Sequence, residues 1–219
     1  MKPKIVAVAT SFNDAILAKK YSADIIELRI DLFKNRNLID IVKLSKKRTK
    51  LPIIATIRSK FEGGEFRGNE LTRFSLFRQV LPYVDFIDIE LSSKIIKNLI
   101  NIARNKKIII SYHNFKNTPP EKKLEQIISR ASGYKPYIIK IATLVKRKSD
   151  LLRLFALLNN QSKKYSLAII PMGSKGQSGR ILAPILGSAL NYAFVKNTVS
   201  PGQISLKSYV KYFKKSSSS

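Results

Sequence analysis

Short apolar segments alternate with longer amphipathic segments along the whole chain. Each apolar segment is six or seven residues long, is rich in Ile, Val and Leu, and is flanked by polar residues. Continuous apolar runs of this length are typical of strands with two buried faces. The pattern predicts eight strands: Lys4–Ala9, Asp24–Ile30, Pro52–Ile57, Asp85–Leu91, Lys107–His113, Tyr137–Ala142, Ser166–Pro171 and Ala189–Val195.

The segments between these strands carry apolar residues at helical spacing. Three faces of this kind are Leu71, Phe74, Phe77 and Leu81; Ile95, Ile96, Leu99, Ile100 and Ala103; and Leu124, Ile127, Ile128 and Ala131. The third helix also has marked ends. Thr118 is predicted to cap its amino end, with a proline in the first helical position and Glu121 three residues after the cap. Gly133 follows its last turn.

Strands that alternate with helices form parallel sheets joined by crossover helices. Eight such units predict a closed (β/α)8 TIM barrel, and 219 residues lie near the lower end of the range for that fold. An open doubly wound sheet is the structural alternative, but the turn after Ala9 lacks the glycine pattern of a dinucleotide-binding site. No linker divides the chain. We therefore predict one catalytic barrel domain over residues 1–215 and a disordered serine tail, Ser216–Ser219.

The composition excludes several kinds of site. The chain has no Cys and one His, which rules out a disulfide scaffold, a thiol nucleophile, an iron–sulfur cluster and a His-rich metal site. The 41 Lys and Arg residues exceed the 14 Asp and Glu residues, so the formal net charge is +27. Because the basic residues are spread in short groups, we interpret them as a solvated surface and expect no specific nucleic-acid partner.

Two features predict where the protein is located. The first residues lack the apolar core and cleavage pattern of a signal peptide. The longest uncharged stretch, residues 181–195, contains Pro and Gly and is too short to cross a bilayer. We expect a cytoplasmic protein without a membrane span.

Charged residues cluster at the carboxyl ends of the predicted strands, where barrel enzymes place their active sites. Alternate residues of a strand share a face, so Glu27, Arg29 and Asp31 point together. The other members of this set are Arg58, Glu62, Asp88 and Glu90. They indicate either a catalytic cavity or a layer of ion pairs inside the barrel.

Lys140 and His113 are the strongest candidates for chemistry. Lys140 lies within an apolar strand, and a buried lysine that loses its proton can form a Schiff base with a carbonyl group. Its alternative role is an ion pair with Asp88 or Glu90. His113 ends the preceding strand and is the only side chain suited to general acid–base catalysis near neutral pH.

Two loops could close the cavity. The loop after the seventh strand, from Pro171 to Arg180, is glycine-rich and could bind phosphate, although it lacks a Walker motif. Arg180 could instead hold a carboxylate with its forked guanidinium group. The loop after the eighth strand contains the turn sequence Ser200-Pro201-Gly202-Gln203.

Taken in order, these segments resemble the type I 3-dehydroquinate dehydratases of the shikimate pathway. The matching segments are Glu27–Asp31, Thr56–Arg58, Glu62–Gly64, Tyr112–His113, Lys140–Ala142, Met172–Gly176, Arg180, Gly187–Ser188 and Pro201–Gln203. The resemblance extends from the second strand to the last loop. It implies a (β/α)8 barrel, often a homodimer, that dehydrates 3-dehydroquinate to 3-dehydroshikimate without a cofactor or a metal ion.

The resemblance also implies roles for individual residues. Lys140 matches the Schiff-base lysine, His113 the general acid and base, and Glu62 the carboxylate that orients this histidine. The residues that match substrate-binding positions are Glu27, Arg29, Arg58, Arg180 and Gln203, with Met172 as an apolar wall.

The chain departs from the family pattern at three places. Gly179 stands where Ser is usual before the clamp arginine, and Tyr192 stands where Phe is usual. Val199-Ser200 replaces a hydroxyl residue followed by Ala. These differences concern the contacts to substrate hydroxyl groups and the geometry of the lid.

Two other functions are alternatives. A class I Schiff-base aldolase would bind the phosphate of a sugar phosphate in the loop before Arg180. A basic nucleic-acid-binding protein would use its barrel charges only for structure, and its binding would persist at ~200 mM salt.

Overall fold

The computed structural model describes residues 3–33 and 37–213 and contains a single parallel sheet. Its strands are β1 Lys4–Ala9, β2 Ile25–Arg29, β3 Ile53–Thr56, β4 Phe86–Glu90, β5 Lys107–Asn114, β6 Ile138–Leu144, β7 Leu167–Met172, β8 Leu190–Phe194 and β9 Ile204–Ser205. Strands β1 to β7 pair in chain order, and β8 pairs with the free edge of β1. The eight predicted strands are confirmed, with ends that differ by up to two residues.

The two ends of the sheet meet between β7 and β8. The Ala189 amide donates a 2.8 Å hydrogen bond to the Leu167 carbonyl, and the Ile169 amide donates to Ser188 Oγ at 3.1 Å. Near its carboxyl end, β8 pairs instead with the short strand β9. The sheet therefore curls into the predicted (β/α)8 barrel, although β7 and β8 share no continuous ladder.

Helices cover the outer face of the sheet. They are α1 Phe12–Lys20, α2 Leu38–Thr49, α3 Glu70–Val80, α4 Ile96–Ile102, α5 Glu121–Ser132, α6 Lys148–Gln161, α7 Gln177–Ile185 and α8 Leu206–Phe213. Short 3₁₀ turns lie at Ile30–Leu32, Lys60–Glu62, Leu81–Tyr83 and Ser174–Gly176. The predicted serine tail, Ser216–Ser219, lies outside the described residues, and the boundaries of the domain stay a prediction.

Alternating side chains of the strands build two hydrophobic cores. Residues such as Ile26, Ile87 and Ile139 face the helices and form the larger core. Residues such as Ile54, Ile109 and Ile138 fill the barrel interior. Burial of both strand faces explains why the strands are continuous apolar runs in the sequence.

The barrel interior changes from apolar to charged along the strands. At the amino end, β2 to β6 contribute Ile25, Ile54, Phe86, Ile109 and Ile138. Two residues further along each strand are Glu27, Thr56, Asp88, Ser111 and Lys140, all of them buried. This change places the charged groups at the end of the barrel where the chain leaves the strands.

Two local predictions were wrong. Leu71, in the first turn of α3, is 78% exposed, whereas Phe77 and Leu81 are buried as predicted. Thr118 does not cap α5; the N-cap is Pro120, with no side-chain cap bond. The Thr118 hydroxyl is instead 3.0 Å from Thr143 Oγ1 and donates to the Leu144 carbonyl, so it joins the loop to β6.

Candidate active site

A cavity opens at the carboxyl ends of the strands. All nine residues predicted for the site line it: Glu27, Arg29, Arg58, Glu62, His113, Lys140, Met172, Arg180 and Gln203. They come from six of the barrel strands or the segments that follow those strands. The fold thus brings together residues that are up to 176 positions apart in the sequence.

Lys140 lies at the base of this cavity and is only 5% exposed. Its Nζ is 2.9 Å from Asp88 Oδ2 and 3.4 Å from Glu27 Oε1. Nζ also lies over the Tyr192 ring, 4.0 Å from the ring centroid. The predicted ion pair with Asp88 therefore exists, and the same amine faces the cavity, so the two interpretations of Lys140 are compatible.

Asp88 joins Lys140 to Arg58. Arg58 Nη2 donates to Asp88 Oδ1 at 2.7 Å, and Nη1 donates to Ser111 Oγ at 2.7 Å and lies 3.3 Å from Glu90 Oε1. Burial alone would raise the pKa of Asp88, but Arg58 and Lys140 hold it well below its usual value. Burial alone would lower the pKa of Arg58, but Asp88 and Glu90 raise it above its usual value. Both groups stay ionised at neutral pH.

His113 is held by Glu62 through two contacts. Glu62 Oε2 lies 3.0 Å from His113 Nδ1 and accepts the His113 backbone N–H at 3.1 Å. When Glu62 is ionised, Nδ1 donates to it, which leaves Nε2 without a proton and able to act as a base. Burial, with Arg58 and Lys140, lowers the pKa of His113 well below its usual value, so the ring is neutral at pH 7.

Ser92 positions the second oxygen of Glu62. Its hydroxyl, just after β4, donates to Glu62 Oε1 at 2.6 Å. Burial raises the pKa of Glu62, and the Ser92 hydrogen bond and the charge of Arg58 oppose that rise. Neither Ser92 nor Ser111 was among the predicted site residues.

The acidic and basic groups of β2 are also paired. Thr56 Oγ1 donates to Glu27 Oε1 at 3.0 Å. Arg29 forms a forked contact with Asp31, with Nε 3.0 Å from Oδ1 and Nη2 2.7 Å from Oδ2. Arg29 is thereby held at the rim of the cavity.

Arg180 differs from the other cations of the site. Within residues 3–33 and 37–213 it contacts no carboxylate: Nε donates to the Pro171 carbonyl, and Nη2 donates to Ser200 Oγ and the Pro201 carbonyl. Burial lowers its pKa to about 10, so it is charged at neutral pH. A buried guanidinium without a carboxylate partner has the charge and geometry to bind an anion.

The loops after β7 and β8 pack against each other beside Arg180. The Gly173 amide donates to the Pro201 carbonyl at 3.1 Å. Gly202 has φ +73°, and a Cβ atom there would lie 2.2 Å from the Gly173 carbonyl oxygen. Gln203 Oε1 accepts from the Val199 amide at 2.7 Å, which fixes the second loop as a compact turn. Met172 is buried in the cavity wall beside these loops.

The three departures from the family pattern occupy different places. Gly179 lies outside the cavity lining, and a Cβ atom there would lie 2.5 Å from Leu151 Cδ2. Val199 and Ser200 line the cavity mouth, and Tyr192 lines its interior. The difference at Gly179 therefore lies outside the cavity, whereas the other two positions line it.

Across residues 3–33 and 37–213, no three His, Asp or Glu side chains are grouped to hold a metal ion. None of the helices in that part of the chain is long and apolar enough to cross a membrane.

A (β/α)8 barrel with a charged cavity at the carboxyl ends of its strands defines the class of barrel enzymes. Residues 4–218 match the family model of type I 3-dehydroquinase. The 3-dehydroquinate dehydratase of Methanocella arvoryzae is 40% identical over 206 residues, which cover 92% of this chain and 91% of that protein. The chain therefore belongs to the type I 3-dehydroquinase family, as the sequence resemblance predicted.

Solved structures agree with this assignment. The 3-dehydroquinate dehydratase of Aquifex aeolicus is 32% identical, with a TM-score of 0.85 over 97% of this chain and 98% of that one. The type I enzyme of Clostridium difficile is 28% identical, with a TM-score of 0.89 over 98% of this chain and 92% of that one. The barrel fold is confirmed by these similarities.

Proposed function

We propose that this protein dehydrates 3-dehydroquinate to 3-dehydroshikimate through a Schiff base on Lys140. One observation carries the proposal. The buried amine of Lys140 faces the same cavity as the His113–Glu62 pair and the carboxylate-free guanidinium of Arg180. Family membership supports the choice of substrate.

The first step is attack by Lys140 on the substrate ketone. The neutral amine attacks the ketone carbon, a C–N bond forms, and the ketone oxygen leaves as water. The resulting protonated imine withdraws electrons and makes the neighbouring C–H bond acidic.

His113 then transfers protons. Its Nε2 removes the proton from the carbon beside the imine, and the electron pair expels the hydroxyl group on the next carbon. That hydroxyl takes the proton from His113 and leaves as water. Hydrolysis of the imine consumes one water and restores Lys140, so the net reaction is the loss of one water. A positioned acid–base group contributes about 10²–10⁴-fold to the rate.

The remaining residues hold the substrate. Arg180 binds the carboxylate in forked geometry, which lysine would reproduce poorly. The groups that contact the substrate hydroxyls are Glu27, Arg29, Arg58 and Gln203, and Met172 forms the apolar wall. We also propose, from family membership alone, that the enzyme is a cytoplasmic homodimer. Light scattering of the purified protein can test the oligomeric state.

Borohydride reduction in the presence of 3-dehydroquinate tests the Schiff base. Reduction of the imine adds the mass of the bound substrate or product minus one oxygen atom. We expect this adduct on Lys140 in the wild-type protein and none in Lys140→Ala. Lys107→Ala, which removes an exposed lysine at the start of β5, is the matched control and should give the wild-type adduct.

His113→Ala separates the two chemical steps. This variant should still form the adduct on Lys140 but lose about 100-fold or more in kcat. An adduct on another lysine, or a folded wild-type protein that forms none, would refute the proposal. In the second case, inhibition by inorganic phosphate would favour a sugar-phosphate aldolase.

A further inference from the structure

Tyr192 lines the cavity and carries a hydroxyl group that has no hydrogen-bond partner among the described residues. Its side chain is buried, with 4% of the residue exposed. Within the described part of the chain, its Oη and Ser45 Oγ are the buried side-chain polar atoms that lack a partner. Ser45 lies in α2, away from the cavity, whereas Tyr192 lines it. A buried hydroxyl without a partner is unfavourable, so this group is available to bind a ligand.

The Tyr192 ring is close to the atom that would carry the substrate. Lys140 Nζ lies over the Tyr192 ring, 4.0 Å from its centroid. Glu27 and Asp88 flank the same amine at 3.4 and 2.9 Å. Burial raises the pKa of Tyr192 well above its usual value, and Glu27 and Asp88 raise it further. The group is therefore a neutral O–H donor at the pH of the reaction.

We propose that Tyr192 is a further substrate-binding residue, whose hydroxyl donates a hydrogen bond to the substrate hydroxyl beside the imine carbon. The inference rests on the proposed Schiff base at Lys140. When the imine forms, the ketone oxygen leaves as water, so it cannot remain the hydrogen-bond acceptor of the Tyr192 hydroxyl. In 3-dehydroquinate, the ring carbon on the far side of the ketone from the acidic C–H carries a hydroxyl group. That oxygen stays within two bonds of the imine carbon and accepts from Tyr192.

This contact distinguishes the chain from the family pattern. Where the resemblance indicates Phe, the aromatic ring can contact the substrate but has no donor. Tyr192 keeps the ring over Lys140 and adds one hydrogen bond. Phe at this position is also compatible with the barrel, so its substitution tests the hydroxyl alone.

Tyr192→Phe removes the hydroxyl and keeps the ring. We expect kcat/KM for 3-dehydroquinate to fall about 5-fold, mainly through a higher KM, because the hydrogen bond is made before and during the reaction. Tyr137→Phe is the matched control. Tyr137 precedes β6 at the opposite end of the barrel and should leave kcat/KM unchanged.

A substrate analogue distinguishes a substrate-binding role of Tyr192 from a purely structural role. With the hydroxyl beside the ketone replaced by hydrogen, the wild-type enzyme and Tyr192→Phe should have kcat/KM values within about 1.5-fold of each other. A purely structural tyrosine would lose the same factor with both substrates, and that result would overturn the inference. Equal kcat/KM for the two proteins on 3-dehydroquinate would overturn it as well.

Borohydride trapping shows which proposal fails. The wild-type protein and Tyr192→Phe should both form the adduct on Lys140. If the wild-type protein forms none, the proposed function is wrong. If both proteins form the adduct and have equal kcat/KM, only the role of Tyr192 is wrong.

Discussion

Asp88 contacts both Arg58 and Lys140, so one carboxylate fixes two cations. Each of its oxygens serves a different partner: Oδ1 accepts from Arg58 and Ser111, and Oδ2 accepts from Lys140. Burial of this many charges is stable only when each is paired. The amine of Lys140 is therefore held in one place by neighbours that are themselves fixed.

Ser92→Ala tests the positioning of the acid–base pair. Loss of its hydrogen bond raises the pKa of Glu62, because that bond favours the ionised carboxylate. Burial, with Arg58 and Lys140, lowers the pKa of His113 well below its usual value, so the ring is neutral at pH 7 and the acid limb follows the ionisation of Glu62. We expect the acid limb of kcat/KM in Ser92→Ala to move to higher pH, with about 5-fold lower kcat/KM near pH 6.

The neighbouring serine provides the control. Ser93 Oγ donates to Glu70 Oε2 with the same length, 2.6 Å, but Glu70 lies outside the cavity lining. Ser93→Ala should keep the wild-type pH profile of kcat/KM between about pH 5 and 9. If Ser92→Ala and Ser93→Ala have the same profile, Ser92 does not position Glu62.

At the scale of elements, the loops after β7 and β8 build the side of the cavity that holds Arg180. The end of β7 and the loop after β8 each contribute a carbonyl group to the guanidinium, from Pro171 and Pro201 respectively. The two loops are joined directly by the hydrogen bond from Gly173 to Pro201. The position of Arg180 therefore depends on how closely the loops approach.

Gly202→Ala tests this close approach. The new Cβ atom would meet the Gly173 carbonyl oxygen and separate the loops, which should raise KM for 3-dehydroquinate about 10-fold. Gly187→Ala is the matched control. Gly187 also has positive φ, at +98°, but nothing lies within 4 Å of its added Cβ.

Both variants should lose stability, because a residue with a side chain is strained at positive φ by about 1–2 kcal/mol. Only Gly202→Ala should raise KM. Steady-state kinetics and thermal unfolding of the two variants make the comparison. A normal KM in Gly202→Ala would show that the cavity tolerates separation of the loops.

At the scale of the whole molecule, the fold was easier to predict from the sequence than the contacts of the site. The eight barrel strands are apolar runs because both of their faces are buried, and Lys140 was recognised because it interrupts such a run. Strand β9 has only two residues, which is too short for a hydrophobic pattern. Ser92 contacts Glu62 from 30 positions away, and a single serine after a strand has no pattern that distinguishes it.

The distribution of charge is also a property of the whole molecule. Of the 14 acidic residues, five have buried side chains in or next to the cavity: Glu27, Asp31, Glu62, Asp88 and Glu90. The remaining acids are too few to balance the basic residues on the surface, so the folded chain repels itself. Salt should weaken this repulsion, since the Debye length falls from about 30 Å at 0.01 M to about 10 Å at 0.1 M.

We therefore expect NaCl to raise Tm by about 4 °C between about 0.01 and 0.2 M, as measured by calorimetry at fixed pH.

Under the proposed function, the same salt should raise KM for the anionic substrate and leave kcat nearly unchanged. Screening weakens the attraction of the substrate to Arg180 but does not alter the chemistry at Lys140. Sucrose at equal osmolality is the control and should not raise KM. A Tm that falls with NaCl would mean that the attractive ion pairs inside the barrel, and not the repulsion between surface lysines, dominate the electrostatic energy of the fold.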